Sequence, residues 1–328
     1  MTRATLSPPR VVCLGETMIM FAPPGHELME HSEDFRALIG GAEANVAVGL
    51  VRLGMPAGWI GKLPDNALGR WIVNGTRRYG VDTGAVVWSA TGRVGTFYVE
   101  FGAKPRPTKT IYDRADSAAT TLTASELDWD YIGAAQWLHL TGITPALSET
   151  CRRATPEIVR HARTLGVKVS FDLNYRSKLW SPDEARAAWN AILPYVSLII
   201  TTEEDAALLL DRPTRALSRE MTLQKLFDSY QPDAVVMTCG GTGSTAFDGK
   251  QILTASSWTL ELVNRLGAGD AFAAGLLYGL ITADLQAGLA YGNAMSALKF
   301  TIPQNLPLID REDVEALVAG KPGERLVR

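Results

Sequence analysis

Apolar positions along this chain recur at two spacings, and the spacing switches repeatedly between them. RVVCLGE (10–16) is a short apolar block that predicts a buried strand ending at a glycine, and TMIMFAPPG predicts a second strand stopped by Pro23-Pro24-Gly25. GGAEANVAVGLVRLG (40–54) predicts a glycine turn and a small-residue helix closing at Gly54. AGWIGKL (57–63) is again strand-like, and NALGRWIVNGTRRYG (66–80) is a helix ending on Gly80. Between 85 and 112 the helices drop out. AVVWS, VGTFYVEFG and TKTIYDR are extended, with alternating aromatics, and predict a small antiparallel sheet apart from the main body.

Beyond that sheet the alternation resumes. Strands are expected at 135–142, 167–174, 196–202 and 233–241, and helices at 148–166, 181–193 and after 203. Ser181-Pro182-Asp183-Glu184 is a capping box with proline at the first helical position. STAFDGKQILTA (244–255) is a hairpin turning at Asp248-Gly249, and helices follow at 268–281 and about 284–300. Repeated strand–helix units imply an α/β fold: a three-layer, doubly wound, mostly parallel sheet. The expected organisation is one domain over 1–328 with a discontinuous β lid formed by about 16–24 and 90–114. In such a sheet, ligands bind beyond the carboxyl ends of the strands.

Composition narrows the function classes. The 328 residues carry a formal net charge of −3, with 46% hydrophobic and 20% charged residues and no basic cluster, so a nucleic-acid partner is not expected. Cys13, Cys151 and Cys239 lie far apart with no CxxC, which reads as reduced thiols and a cytoplasmic protein. The four histidines never take ligand spacing, so zinc is not expected. MTRATLSPPR has no apolar signal core, and AILPYVSLII (191–200) is too short to span a bilayer.

The chemistry concentrates in loops after strands. In NRLGAGDAFAAGLLYGL (264–280), Gly267, Ala268 and Gly269 lead to Asp270 at the mouth of a helix. A helix N-terminus attracts anions, and a turn of small residues lets a phosphate reach the backbone amides. Asp270 is either an ordinary N-cap or a base that takes a hydroxyl proton beside an anion hole. Capping alone does not call for the glycines. Gly40, Gly41 and Asn45 open a second helix, where tight packing explains the alanines and a polyhydroxylated ligand explains the polar residues. Gly240 and Gly243 follow Thr238 in TCGGTGS, a weak GxxG with no helix behind it. Neither GxGxxG nor GxxxxGK[ST] occurs, against dinucleotide and P-loop folds. Tyr112 and Arg114 lie on the expected lid, and Asp172, Asn174 and Arg176 at a strand end; the two arginines could converge on a carboxylate.

GGAEANVAVGLVRLG and GAGDAFAAG, in this order with extended segments between them, resemble the two signatures of PfkB/ribokinase-type sugar kinases. The resemblance covers about residues 10–318, and GGAEANVAV, HLTGITPALS and DLNYRSKLWSP are most similar to the 2-keto-3-deoxygluconate kinases of that family. It implies transfer of the ATP γ-phosphate, with Mg²⁺, to a primary hydroxyl, and a β lid often completed by dimerisation. Asp270 is then the base and Gly267, Ala268 and Gly269 the anion hole. Thr202, Thr238, Gly240, Gly243, Asn293 and Ala297 fall on the nucleotide side. Gly40, Gly41, Asn45 and Tyr98 fall on the sugar, with Tyr112, Arg114 and Arg176 on its carboxylate; the lid alignment also allows Phe97 in place of Tyr98.

Departures from the family pattern sharpen the expectation. The lid-strand aspartate of ribose and fructose kinases corresponds to Met20, which argues for a sugar acid over a neutral sugar. The carboxylate that often supports monovalent-cation activation is Asn264, against such a site. The metal-organising NxxE appears as Thr202-Glu203-Glu204-Asp205, leaving Glu204 or Asp205 to take that role. A neutral-sugar kinase and a non-catalytic sugar or nucleotide sensor are the competing readings.

Overall fold

The computed structural model describes residues 8–321. Fourteen strands and eleven α-helices are named here in chain order. The strands are β1 (Val11–Leu14), β2 (Met18–Ala22), β3 (Arg36–Gly40), β4 (Ala57–Ile60), β5 (Lys62–Pro64), β6 (Val87–Ser89), β7 (Thr96–Glu100), β8 (Lys109–Asp113), β9 (Trp137–Thr141), β10 (Lys168–Asp172), β11 (Leu198–Thr202), β12 (Ala234–Thr238), β13 (Ser244–Phe247) and β14 (Ile252–Ala255). The helices are α1 (Ala42–Arg52), α2 (Ala67–Arg77), α3 (Trp129–Gly133), α4 (Ile143–Ala146), α5 (Glu149–Thr164), α6 (Pro182–Ile192), α7 (Glu203–Leu209), α8 (Arg219–Tyr230), α9 (Ala268–Thr282), α10 (Leu285–Phe300) and α11 (Arg311–Val318).

Eight strands form the main sheet in the order β14-β13-β12-β11-β10-β9-β1-β4. It is parallel from β12 to β4, and the β13–β14 hairpin adds an antiparallel edge. Alternation within each strand feeds two cores. Val11 and Cys13 join the α1/α9/α10 core, whereas Val12 and Leu14 join the α5/α6/α8 core. All four are fully buried, which is why β1 reads as an unbroken apolar run. The expected capping box at Ser181 and Glu184 opens α6. α9 and α10 pack closely because a Cβ on Gly275 would lie 2.4 Å from the Tyr291 carbonyl. The three-layer α/β expectation holds.

The small sheet departs from the expected strand list. Its order is β3-β2-β7-β8, and β2 pairs with β7 in parallel, so the sheet is mixed rather than antiparallel. Val87–Ser89 pairs instead with Lys62–Pro64 in a separate two-stranded ribbon. Arg36–Gly40, not expected as a strand from the sequence, supplies an edge strand. The chain leaves the main sheet after β1, runs through the small sheet, and returns through Gly40-Gly41 into α1. This path suspends the small sheet over the carboxyl ends of the main strands.

Candidate active site

The N-termini of α1 and α9 meet beneath the small sheet. α9 begins one residue after Gly267, which serves as N-cap with φ +80° and ψ 3°. A Cβ there would both strain the left-handed backbone and lie 2.0 Å from the Asn305 carbonyl oxygen, so only glycine fits. Asp270 therefore sits at the third helical position and is not the cap. Its Oδ2 accepts a 2.7 Å hydrogen bond from Asn45 Nδ2 of α1. That bond fixes the carboxylate across 225 residues of sequence. A Cβ added to Gly269 would meet nothing within 4 Å, so the turn faces open space with amides of the first helical turn exposed.

Electrostatics distinguish Asp270 from a surface carboxylate. Burial raises its pKa above the usual range, against lowering by the Asn45 bond, Arg176 and Lys299. A base whose proton affinity lies closer to neutrality takes a hydroxyl proton more readily. Asn305, which sequence reasoning passed over, braces the same junction. Its Nδ2 donates to the Ile39 carbonyl at 3.1 Å and to Asn45 Oδ1 at 3.4 Å.

Gly40 and Gly41 are explained by packing. A Cβ on Gly40 would lie 2.6 Å from the Phe97 ring, and one on Gly41 would lie 2.4 Å from the Glu16 carbonyl. Beneath them, Glu43 is 1% exposed, and its Oε1 accepts from Thr141 N at 3.1 Å and Thr141 Oγ1 at 2.7 Å. Burial lifts its pKa to about 7, assisted by the Asp270 charge.

The small sheet corrects the assignment of Tyr98. Phe97, Met18 and Met20 share the face that packs on Leu266, next to the Gly267–Gly269 turn. Tyr98 lies on the opposite face, stacked on Phe21 at 5.5 Å. A strand sends neighbouring side chains to opposite faces, so Phe97 and not Tyr98 looks into the cleft. Phe97 stacks on Tyr112 at 5.6 Å, and Met20 is fully buried in the same apolar cluster.

The expected arginine pair is also altered. Arg114 donates through Nε at 2.8 Å, and through Nη2, to Glu16 Oε2, while Ser117 Oγ donates to Glu16 Oε1 at 2.5 Å. Its charge is thus already compensated by a buried carboxylate. Arg176 is exposed and makes no hydrogen bond or ion pair among the described residues. Its charge reaches Asp172, Asp205 and Asp270, partly opposing the burial that raises the pKa of each. Lys178, not singled out from sequence, donates to the Thr110 carbonyl at 2.9 Å and ties this loop to the small sheet.

Residues expected on the nucleotide side line the ends of β11, β12 and the hairpin. Thr202 caps α7 by accepting from Asp205 N, and Thr238 Oγ1 reaches the Thr201 carbonyl at 3.4 Å. Gly240 faces open space but holds a left-handed backbone (φ +58°) that favours glycine, whereas a Cβ on Gly243 would lie 2.0 Å from the Ala255 carbonyl. Asn293 spends its amide on Ala255 O at 2.8 Å and Ser256 O at 3.3 Å, and Ala297 is buried on the same helix. Asp205 turns inward, accepting from Tyr175 N at 3.2 Å, while Glu204 is exposed. Among the described residues no three acidic, histidine or cysteine side chains cluster as a metal site. Cys239 is buried and its thiol pushed up to about 11, as a packing role requires. No described helix is long and apolar enough to cross a membrane.

The profile of the pfkB family carbohydrate kinases matches residues 8–304. A 2-dehydro-3-deoxygalactonokinase of Haloferax volcanii is 40% identical over 94% of this chain and 96% of its own length. A 5-dehydro-2-deoxygluconokinase of Bacillus subtilis is 30% identical over 94% and 95%. The crystal structure of a 2-dehydro-3-deoxygluconokinase from Thermotoga maritima superposes with a TM-score of 0.89 at 33% identity, covering 95% of this chain and 98% of that one. Likeness that runs through almost the whole of both chains, in sequence and in fold, makes this protein a member of the pfkB family and an ATP-dependent sugar kinase.

Proposed function

We propose that the protein phosphorylates the terminal hydroxyl of a 2-keto-3-deoxy sugar acid, 2-keto-3-deoxygluconate giving its 6-phosphate. The carrying observation is the pairing of an uncommitted Arg176 with an apolar cleft wall at Met20 and Phe97. An apolar wall offers a neutral polyol few partners, and a free guanidinium matches a carboxylate. In this reading Arg176 holds the carboxylate, with Tyr112 beside it and Arg114 restrained by Glu16. Asn45 orients Asp270, which takes the proton of the hydroxyl. Gly267, Ala268 and Gly269 present backbone amides to the phosphoryl charge. ATP with Mg²⁺ would lie along Thr202, Thr238, Gly240, Gly243, Asn293 and Ala297, with Asp205 better placed than Glu204 to order the metal's water. When bound, the metal neutralises phosphate charge.

The test is ADP release against 2-keto-3-deoxygluconate, its C4 epimer 2-keto-3-deoxygalactonate, gluconate, fructose and ribose. Keto-deoxy acids are expected to dominate in kcat/KM, and Arg176→Leu is expected to cost about thirtyfold on them, or about 2 kcal/mol, with fructose unaffected. Preferential turnover of fructose or ribose would overturn the carboxylate reading while leaving the kinase. The two keto-deoxy acids together decide the C4 configuration.

Phe21, Tyr98 and the 56%-exposed Ile111 form an apolar outer face on the small sheet, which we read as the contact with a second copy of the chain. A dimer by sedimentation, dissociated by Ile111→Lys, is the expected result. A monomer at micromolar concentration would refute it.

A further inference from the structure

A lysine is buried behind the anion turn. Lys299, near the C-terminal end of α10, is 0% exposed, and its Nζ donates to the Ile302 carbonyl at 3.1 Å. Its Cε lies 3.5 Å from where a Cβ on Gly267 would stand. The surrounding chain is bound together through carbonyls. Phe300 O accepts from Val263 N at 2.9 Å and Asn264 N at 3.0 Å. Pro303 O accepts from Asn264 Nδ2 at 2.7 Å, and Asn264 Oδ1 takes Leu266 N at 3.0 Å. The 263–264 segment is thus tied by its N–H groups to the carbonyls of 300–303, the same short stretch whose Ile302 carbonyl takes the Lys299 ammonium. Position 264 carries a neutral amide on that neighbouring segment, spent on Pro303 O and Leu266 N.

Burying an ammonium costs several kcal/mol unless something compensates it. The compensation visible here is one hydrogen-bonded carbonyl and the charge of Asp270. Burial draws the Lys299 pKa down to about 8 and Asp270 holds it up, so the side chain is a cation at neutral pH. A packing role would be met more cheaply by methionine or leucine at this position.

We infer that the Lys299 ammonium is a built-in monovalent cation that fixes and polarises the anion turn, replacing any need for an added one. The inference rests on the reading of Gly267–Asp270 as the place where phosphoryl charge is held. Lys299 acts through the turn and not on substrate, so it is a positioning residue. Its charge supports the exposed amides electrostatically, and its bond to Ile302 O fixes the loop carrying Asn305 against Gly267.

The experiment compares chloride salts of potassium, ammonium, sodium and choline on the wild type, Lys299→Met and Lys299→Ala. It reads kcat, the KM for the sugar acid and the thermal midpoint. The wild type is expected to be indifferent to potassium in both kcat and Tm. Lys299→Met, which retains the packing volume, should lower kcat about tenfold with KM unchanged and no rescue by any cation. Lys299→Ala opens space beside the Ile302 carbonyl, so potassium or ammonium should restore kcat severalfold and raise Tm above that in choline. Severalfold potassium activation of the wild type, or a Met variant with full kcat, would overturn the inference. The wild-type salt series decides even if the Ala variant does not fold. Should no sugar acid be turned over, the Tm arm still tests the cation site, and the failure then belongs to the substrate reading.

Discussion

Asp270→Asn is expected to lower kcat by about 10³-fold while leaving ATP affinity and the thermal midpoint close to wild type. The carboxylate is placed by a single 2.7 Å bond from Asn45 Nδ2. Asparagine is nearly isosteric and still offers an oxygen to that donor, so the α1–α9 junction survives. What disappears is a group able to accept the hydroxyl proton, and with it the proton affinity that burial raises. Loss confined to kcat would mean that the group works on the reaction and not in ground-state binding. Isothermal titration with a non-hydrolysable ATP analogue separates the two. A variant retaining more than a tenth of wild-type kcat would show that another group takes the proton. The sensor reading predicts no change in any measured quantity, because the wild type would have no turnover to lose.

The same site shows which features of the sequence carried its structure. Gly267-Ala268-Gly269-Asp270 and Gly40-Gly41 were legible because glycines followed by a helical apolar run are local signals. The expected helix start at 268 is borne out, with Gly267 as cap and Asp270 inside the helix; what the sequence could not reveal is that Asn305 presses against Gly267 and leaves room for glycine alone. Phe97 and Tyr98 were ambiguous for a different reason. A strand's pattern fixes the period but not the phase, and the register Met20↔Phe97 and Phe21↔Tyr98 settles the face. Arg114 looked free because its partner Glu16 is 98 residues away in a strand exit that carried no acidic motif. Arg36–Gly40 was missed as a strand because it follows a charged stretch and joins the small sheet only at its edge. Lys299 gave no signal at all, since a lysine in the last turn of a helix is ordinarily a solvated partner for the helix dipole.

Stability of the Glu43→Gln variant relative to wild type is expected to rise with pH by about 3 kcal/mol in all, most of it between pH 5 and pH 8. The group's pKa is 4.5 when exposed and about 7 in the fold, raised first by burial. Below 4.5 both states carry the proton and Glu43 costs nothing. Between 4.5 and about 7 the folded state holds a proton that the unfolded state has lost, so wild-type stability falls as pH rises. Above about 7 both states are ionised and the penalty is constant. Glutamine does not titrate, yet its carbonyl oxygen still accepts from Thr141, so the difference between the proteins isolates this one group. Asp172, raised to about 8, imposes a similar slope on both proteins and cancels in the difference. Urea unfolding of each at pH 5, 6, 7 and 8 gives the comparison, and a difference that stays flat across the series would show Glu43 ionised throughout. A neutral Glu43 also suits the site, because an ionised carboxylate under α1 would add repulsion toward Asp270 and toward any phosphate at the α9 turn. The raised pKa is therefore the cost of keeping a polar group beneath the α1–α9 junction without a full negative charge there below about pH 7.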